Sequence, residues 1–122
     1  VFMISQLSNN NRIKKIAENS NGFIYLVSRL GITGVRDKLQ ASTLSLIKKV
    51  RKFTDKPLCV GFGISTLYHV KKVISAGADG AIVGSAIVDL IVKNINNKGK
   101  MLNSIYNYIK NIKNGTRRSL RF

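Results

Sequence analysis

Glycines and serines that could bind an anion occur at two neighbouring places in the middle of the chain. Gly63 and Ser65 follow one short apolar run, and Gly84 and Ser85 follow the next. Glycine lets the backbone approach a ligand closely, and a serine at the start of a helix lies beside N–H groups that favour an anion. The pattern predicts a phosphate site shared by two consecutive strand-to-helix loops. Two tight turns required only for packing are the alternative that remains open.

Apolar runs and helical patterns alternate along the whole chain. The apolar runs predict four strands, which begin near Val1, Phe23, Leu58 and Ala81. Buried strands that alternate with amphipathic helices indicate a parallel sheet covered by helices. The chain is therefore expected to be an α/β domain of four βα units over residues 1–122, with a basic, frayed tail at 114–122.

Two of the predicted helices bear on the site. The helix over residues 66–76 is expected to end at Gly77, because glycine is common just after a helix, and to carry His69 on its exposed side. The helix over residues 101–113 should turn its apolar positions inward. These are Leu102, Ile105, Tyr108, Ile109 and Ile112.

The length suggests part of a larger fold. Phosphate-binding (β/α)₈ barrels commonly use the loops after strands seven and eight and run to about 250 residues. This chain has 122 residues, and it begins at Val1 within an apparent strand, without an initiator methionine. We expect a partial (β/α)₈ barrel whose upstream part is missing.

The formal net charge of +16 allows a nucleic-acid-binding protein or a protein with basic solvated faces. Paired lysines on separate predicted helices favour solvated faces, and the richness in lysine, asparagine and isoleucine suggests an AT-rich genome. Because the solvated faces account for the charge, no nucleic-acid partner is expected. No transmembrane run or signal-peptide pattern is seen, so no membrane partner is expected. The single cysteine, Cys59, lies in an apolar strand and predicts a packed thiol.

Residues that could break a bond are scarce. Glu18 is the only glutamate, no two aspartates are spaced for acid–base work, and His69 is the only histidine, so no metal site is predicted. Tyr25 could point into a barrel mouth or be a core tyrosine with a satisfied hydroxyl. The long loop at residues 29–42 could be a lid or an insertion. The residues offer a place to hold a phosphate and no catalytic pair.

Four motifs in order resemble the tryptophan synthase alpha subunit. They are Gly-Phe-Ile-Tyr-Leu-Val-Ser-Arg ending at Arg29, Gly-Ile-Thr-Gly ending at Gly34, Gly-Phe-Gly-Ile-Ser ending at Ser65, and Val-Gly-Ser-Ala-Ile-Val ending at Val88. The similarity runs from Val1 to about Lys113 and corresponds to the C-terminal half of the family, strands five to eight of its barrel. It implies a lyase of tryptophan biosynthesis that cleaves indole-3-glycerol phosphate to indole and glyceraldehyde 3-phosphate.

The resemblance also implies roles for individual residues. Positions that hold the substrate phosphate correspond to Gly34, Gly63, Gly84 and Ser85. Tyr25 and Phe62 correspond to the indole glycerol pocket, and Arg29 and Thr33 to the mobile loop that closes over substrate. The two catalytic carboxylates of the family lie in the half that is not present, so no catalytic residue is assigned and the fragment alone is expected to be inactive.

The implied partner is the tryptophan synthase beta subunit, in an α2β2 tetramer in which pyridoxal phosphate belongs to the beta subunit; no cofactor is expected in this chain. The expected location is an algal plastid, with the bacterial cytoplasm as the alternative. The rival predictions are another phosphate-binding barrel, of the indole-glycerol-phosphate synthase or phosphoribosyl isomerase type, and a small basic nucleic-acid-binding module.

Overall fold

A parallel sheet of four strands forms the centre of the computed structural model, which describes residues 1–27, 41–61 and 63–117. The strands lie side by side in chain order: β1 (Met3–Ile4), β2 (Ile24–Val27), β3 (Leu58–Gly61) and β4 (Gly80–Ala81). The described helices are α1 (Asn10–Asn19), α2 (Ala41–Arg51), α3 (Leu67–Ser75), α4 (Ser85–Lys93), α5 (Lys98–Lys113) and a short 3₁₀ helix (Asn114–Thr116). The predicted alternation of strands and helices is confirmed.

The two faces of the sheet differ in how they are covered. One face carries apolar side chains that are 0% exposed and pack against α1, α2 and α3: Ile4, Ile24, Leu26, Leu58 and Val60. The opposite face carries Met3, Tyr25, Cys59 and Gly80, which lie in one register across the four strands. Met3 is 54% exposed and the other three are partly buried. The helices therefore cover one face, and the face that would line the interior of a closed barrel stays partly open.

The first three helices bury apolar residues against the sheet. Ile13 and Ala17 of α1, Ile47 and Val50 of α2, and Val73 of α3 all belong to the core. The paired lysines of the same helices are exposed: Lys14, Lys15, Lys48, Lys49, Lys71 and Lys72. The predicted solvated outer faces are confirmed, and these paired charges are spread over three helices.

Polar side chains tie the elements together at the edge of the sheet where the strands begin. The Arg51 guanidinium donates to the Gly77 carbonyl and, at 2.6 Å, to the Asp79 carboxylate, which also accepts the Leu58 N–H at 3.0 Å. The Lys56 ammonium donates to the Ser20 carbonyl just after α1, at 2.8 Å. These bonds hold the starts of β3 and β4, so their other ends emerge from a fixed framework.

The prediction for α5 is partly wrong. The helix begins at Lys98, where the Asn97 side chain accepts the Lys100 N–H at 3.0 Å. Leu102 and Ile109 are 58% and 40% exposed, whereas Ile112 is buried and Tyr108 is half-buried. An apolar position is buried only where a neighbouring element covers it. Every residue of the adjacent α4 is itself at least partly exposed, so the α4–α5 pair leaves one side uncovered.

The start of the predicted frayed tail is ordered. The 3₁₀ helix packs against α3, and Gly115 is buried there. A Cβ atom at Gly115 would lie 2.9 Å from the Val70 side chain, so only glycine allows this close approach. Residues 118–122 lie outside the described residues.

Candidate phosphate-binding site

Two loops follow adjacent strands at the edge of the sheet where the strands end. β3 and β4 pair in parallel, so the segments that leave them start from the same edge. Gly63 lies in the first segment, and Gly84 and Ser85 lie at the end of the second. The structure thus brings three of the predicted site residues to one edge. The other predicted residues of the loops, Arg29, Thr33, Gly34 and Phe62, lie outside the described residues.

The loop after β4 leads into a helix whose first turn is open. Gly84 is the N-cap of α4, and among the described residues no side chain caps this terminus. Ser85 is the first residue of the helix, and both residues are exposed. The first N–H groups of a helix have no intrahelical partner and favour an anion. Because Ser85 is the first residue of α4, the prediction that Ser85 starts a helix is confirmed.

Packing does not explain the glycine at position 84. Its φ of −124° lies outside the left-handed region, and a Cβ atom there would meet nothing within 4 Å. Gly63 differs, because its φ of +76° is a conformation that favours glycine. A ligand that approaches the backbone closely is a physical reason for glycine at position 84.

The loop after β3 leads into a helix whose first turn is closed. Thr66 is the N-cap of α3, and its hydroxyl oxygen accepts the His69 N–H at 3.1 Å. The His69 Nδ1 accepts the N–H groups of Ser65 at 3.1 Å and Thr66 at 3.3 Å. This reciprocal arrangement is a capping box in which histidine replaces the usual glutamate or glutamine.

Two predictions about this loop are wrong. Ser65 does not start a helix, because Thr66 takes the N-cap position and α3 begins at Leu67. His69 is 1% exposed rather than on the solvent side, because its ring folds back over the loop to accept backbone N–H groups. The backbone donors predicted at Ser65 are therefore used within the chain.

Tyr108 holds the same loop from α5. Its hydroxyl donates a short hydrogen bond to the Ser65 carbonyl. Burial raises the pKa of the Tyr108 phenol above its usual value, so the group stays protonated and can donate at neutral pH. The Ser65 residue is thus held at its N–H by His69 and at its carbonyl by Tyr108.

Tyr25 reaches the same edge from β2. It pairs with Cys59 in the sheet, and its ring leans over Gly61, the last residue of β3. A Cβ atom at Gly61 would overlap the Tyr25 phenol, which explains the glycine there. The phenol lies on the partly open face directly before the loop that carries Gly63.

A family model described as tryptophan synthase alpha chain matches residues 1–117. The chain belongs to this family. The tryptophan synthase alpha chain of Methanoregula boonei is 44% identical over 113 residues, which are 93% of this chain and 43% of that protein. That of Acaryochloris marina is 43% identical over 112 residues, 92% of this chain and 41% of that protein. The chain thus spans less than half the length of these relatives.

Solved structures agree with the family assignment. A chain in the structure of the tryptophan synthase α2β2 complex of Pyrococcus furiosus superposes with a TM-score of 0.80 at 27% identity, over 93% of this chain and 44% of that chain. The tryptophan synthase A-subunit of the same organism superposes with a TM-score of 0.77 at 27% identity, over 93% and 44%. The predicted partial (β/α)₈ barrel is confirmed.

Sequence reasoning missed two residues that hold the loop after β3, His69 and Tyr108. The spacing from Thr66 to His69 is that of a capping box, but histidine at the last position concealed the signal. Tyr108 lies 43 residues after Ser65, so no local pattern links the two. The first could have been found from its spacing, and the second only from the packing of α5.

Two absences hold for the described residues, 1–27, 41–61 and 63–117. No helix in them is long and apolar enough to cross a membrane. Nowhere in that part of the chain do three histidine, cysteine or acidic side chains lie together as a metal ion would require.

Proposed function

We propose that this chain forms the phosphate-binding side of a tryptophan synthase alpha subunit, which cleaves indole-3-glycerol phosphate to indole and glyceraldehyde 3-phosphate. The observation that carries the proposal is the uncapped, exposed start of α4 at Gly84 and Ser85 in a chain of this family. An anion fits there because the N–H groups of the first turn and the helix dipole both favour negative charge.

Each site residue has a role in this proposal. The N–H groups at the start of α4 and the Ser85 hydroxyl donate to the phosphate, and Gly63 contributes backbone from the neighbouring loop. Tyr25, together with Phe62, borders the indole ring. Arg29 and Thr33 belong to the loop that closes over the substrate, and Gly34 is a further residue that holds the phosphate. The roles of these last three residues and of Phe62 rest on the family resemblance alone.

The lyase chemistry requires groups beyond this chain. The resemblance assigns acid–base catalysis to a glutamate and an aspartate in the first half of the barrel. The 122-residue chain matches less than half of its relatives, so we expect it to bind the phosphate end and to cleave nothing by itself. Joined to the N-terminal half of the Methanoregula boonei relative, it should cleave indole-3-glycerol phosphate.

The proposed partner is a tryptophan synthase beta subunit. A structurally similar chain comes from a structure described as the basis of mutual activation of the tryptophan synthase α2β2 complex, which supports this choice. Pyridoxal phosphate would then belong to the partner. Most of the relatives are archaeal or bacterial, which agrees with the bacterial cytoplasm, whereas the plastid location rests on composition alone.

The experiment is a Ser85→Asp substitution in the full-length barrel made by that fusion. The change removes a donor and places a like charge against the phosphate. A hydrogen bond to a charged group contributes about 1.5–3 kcal/mol, so KM for indole-3-glycerol phosphate should rise about tenfold or more. The kcat should fall less, because the phosphate is remote from the bond that breaks.

Ser45→Asp is the matched control. Ser45 is an exposed serine on α2, so the same change there should leave KM unaltered. Free indole offered to the beta subunit should also be used normally with either variant. An unchanged KM in a folded Ser85→Asp protein would show that the start of α4 does not hold the phosphate.

A further inference from the structure

Two side chains from different helices restrain one residue of the loop after β3. The His69 Nδ1 accepts the Ser65 N–H at 3.1 Å, and the Tyr108 hydroxyl donates to the Ser65 carbonyl. His69 belongs to α3 and is 1% exposed, and Tyr108 belongs to α5 and is half-buried. Both groups that orient the Ser65 backbone are therefore bonded to side chains rather than to solvent.

The segment that needs this restraint starts at Gly63. Gly63 is exposed and has a φ of +76°. A glycine leaves the loop backbone more conformational freedom than any other residue type would. Ile64 anchors the loop in the core at 4% exposure, but an apolar contact does not orient the peptide groups on either side of it. The bonds at Ser65 supply the missing orientation.

We propose that Tyr108 and His69 are positioning residues for the substrate phosphate, which hold the loop at residues 63–66 in the conformation that presents the Gly63 backbone to it. The inference rests on the proposed function. A loop that adopts the binding conformation only part of the time weakens the apparent affinity by that fraction. The effect of losing either side chain should thus appear in substrate binding rather than in bond cleavage.

The first test is Tyr108→Phe in the full-length barrel, with indole-3-glycerol phosphate as substrate. This change removes the hydroxyl and keeps the ring, which packs against the core. Losing one neutral hydrogen bond should raise KM about three- to tenfold and leave kcat within about twofold. Tyr106→Phe on the same helix is the matched control, because Tyr106 is 63% exposed; its KM should not change.

The second test compares two substitutions at His69. His69→Leu fills the site without an acceptor and leaves the Ser65 and Thr66 N–H groups unpaired, so KM should rise at least as much as in Tyr108→Phe. His69→Gln restores an acceptor that capping boxes commonly use, so KM should return to within about twofold of the original. A residue that only stabilises the fold would lower the active fraction and hence kcat, with KM unchanged.

Ser85→Asp, measured in parallel, separates the two proposals. A raised KM in Ser85→Asp with an unchanged KM in Tyr108→Phe would overturn the positioning role and leave the proposed function intact. An unchanged KM in both would overturn both. If His69→Leu does not fold, the Tyr108→Phe measurement decides the question, since this change keeps the packing volume of the site.

Discussion

The loops after β3 and β4 have similar sequences and opposite environments. Each carries a glycine followed by a serine within a few residues, and each leads into a nine-residue helix. The first is closed: Thr66 caps α3, His69 accepts two N–H groups of the loop, and Tyr108 donates to the Ser65 carbonyl. The second is open, because Gly84 has no side chain and Ser85 is exposed.

This difference shows that a glycine–serine loop is not by itself an anion site. The donors at the start of α3 are used within the chain, so that loop contributes a shaped backbone at Gly63. The donors at the start of α4 face solvent and are available to a ligand. One loop therefore acts mainly as a support, and the other supplies the donors.

The largest effect should come from closing the open loop. Gly84→Asp puts a carboxylate at the start of α4, where the phosphate is proposed to bind and where the helix dipole favours negative charge. KM for indole-3-glycerol phosphate should rise more than tenfold, while the free energy of unfolding should be unchanged or higher by a few tenths of a kcal/mol. Steady-state kinetics and urea unfolding of the same full-length protein measure the two effects. A KM that stays constant would remove the distinction between the loops.

A smaller effect should come from opening the closed loop. Thr66→Ala removes the cap of α3 and should lower the free energy of unfolding by about 1 kcal/mol. Ser85→Ala is the matched control, since the Ser85 hydroxyl caps no helix among the described residues, and it should leave stability unaltered. Urea unfolding of both variants measures the difference. Equal losses would mean that α4 is capped as α3 is.

The smallest effect concerns the partly open sheet face on the two strands that lead into the loops. Cys59 of β3 lies beside Gly80 of β4, and burial first and the Asp79 carboxylate second raise the pKa of its thiol. A raised pKa means less thiolate at a given pH, so iodoacetamide should alkylate Cys59 more slowly at pH 8 than in the urea-unfolded chain. The rate should also rise at a higher pH than for the unfolded thiol. Equal rates would show that the sheet is loosely packed around Cys59.

Local patterns were sufficient to predict most of the elements. The apolar runs that contain Leu58 and Ile24 were predicted as strands and are buried strands in the structure. Gly77 lies just after α3 with φ +118°, as a glycine at a helix end was expected to do. These features depend on neighbours in sequence, and the chain alone therefore determines them.

Contacts between distant elements decided the rest. Leu102 and Ile109 fit the apolar face of α5 but stay exposed, because burial depends on which helix lies opposite. His69 is a local exception, because its ring accepts backbone donors three and four residues away and the capping-box spacing could have indicated its burial.

The sequence by itself determined that two glycine loops follow neighbouring parallel strands, because period and composition are local properties. Only the tertiary structure decided which loop remains open to an anion. That outcome depends on the hydrogen bond from Tyr108 to Ser65, 43 residues apart in sequence. It also depends on whether a side chain caps the N-terminus of the helix, as in α3, or does not, as in α4. Every residue except proline carries a backbone N–H donor, so the sequence does not distinguish one donor from another. Whether a donor is available to a ligand depends on what the fold places beside it.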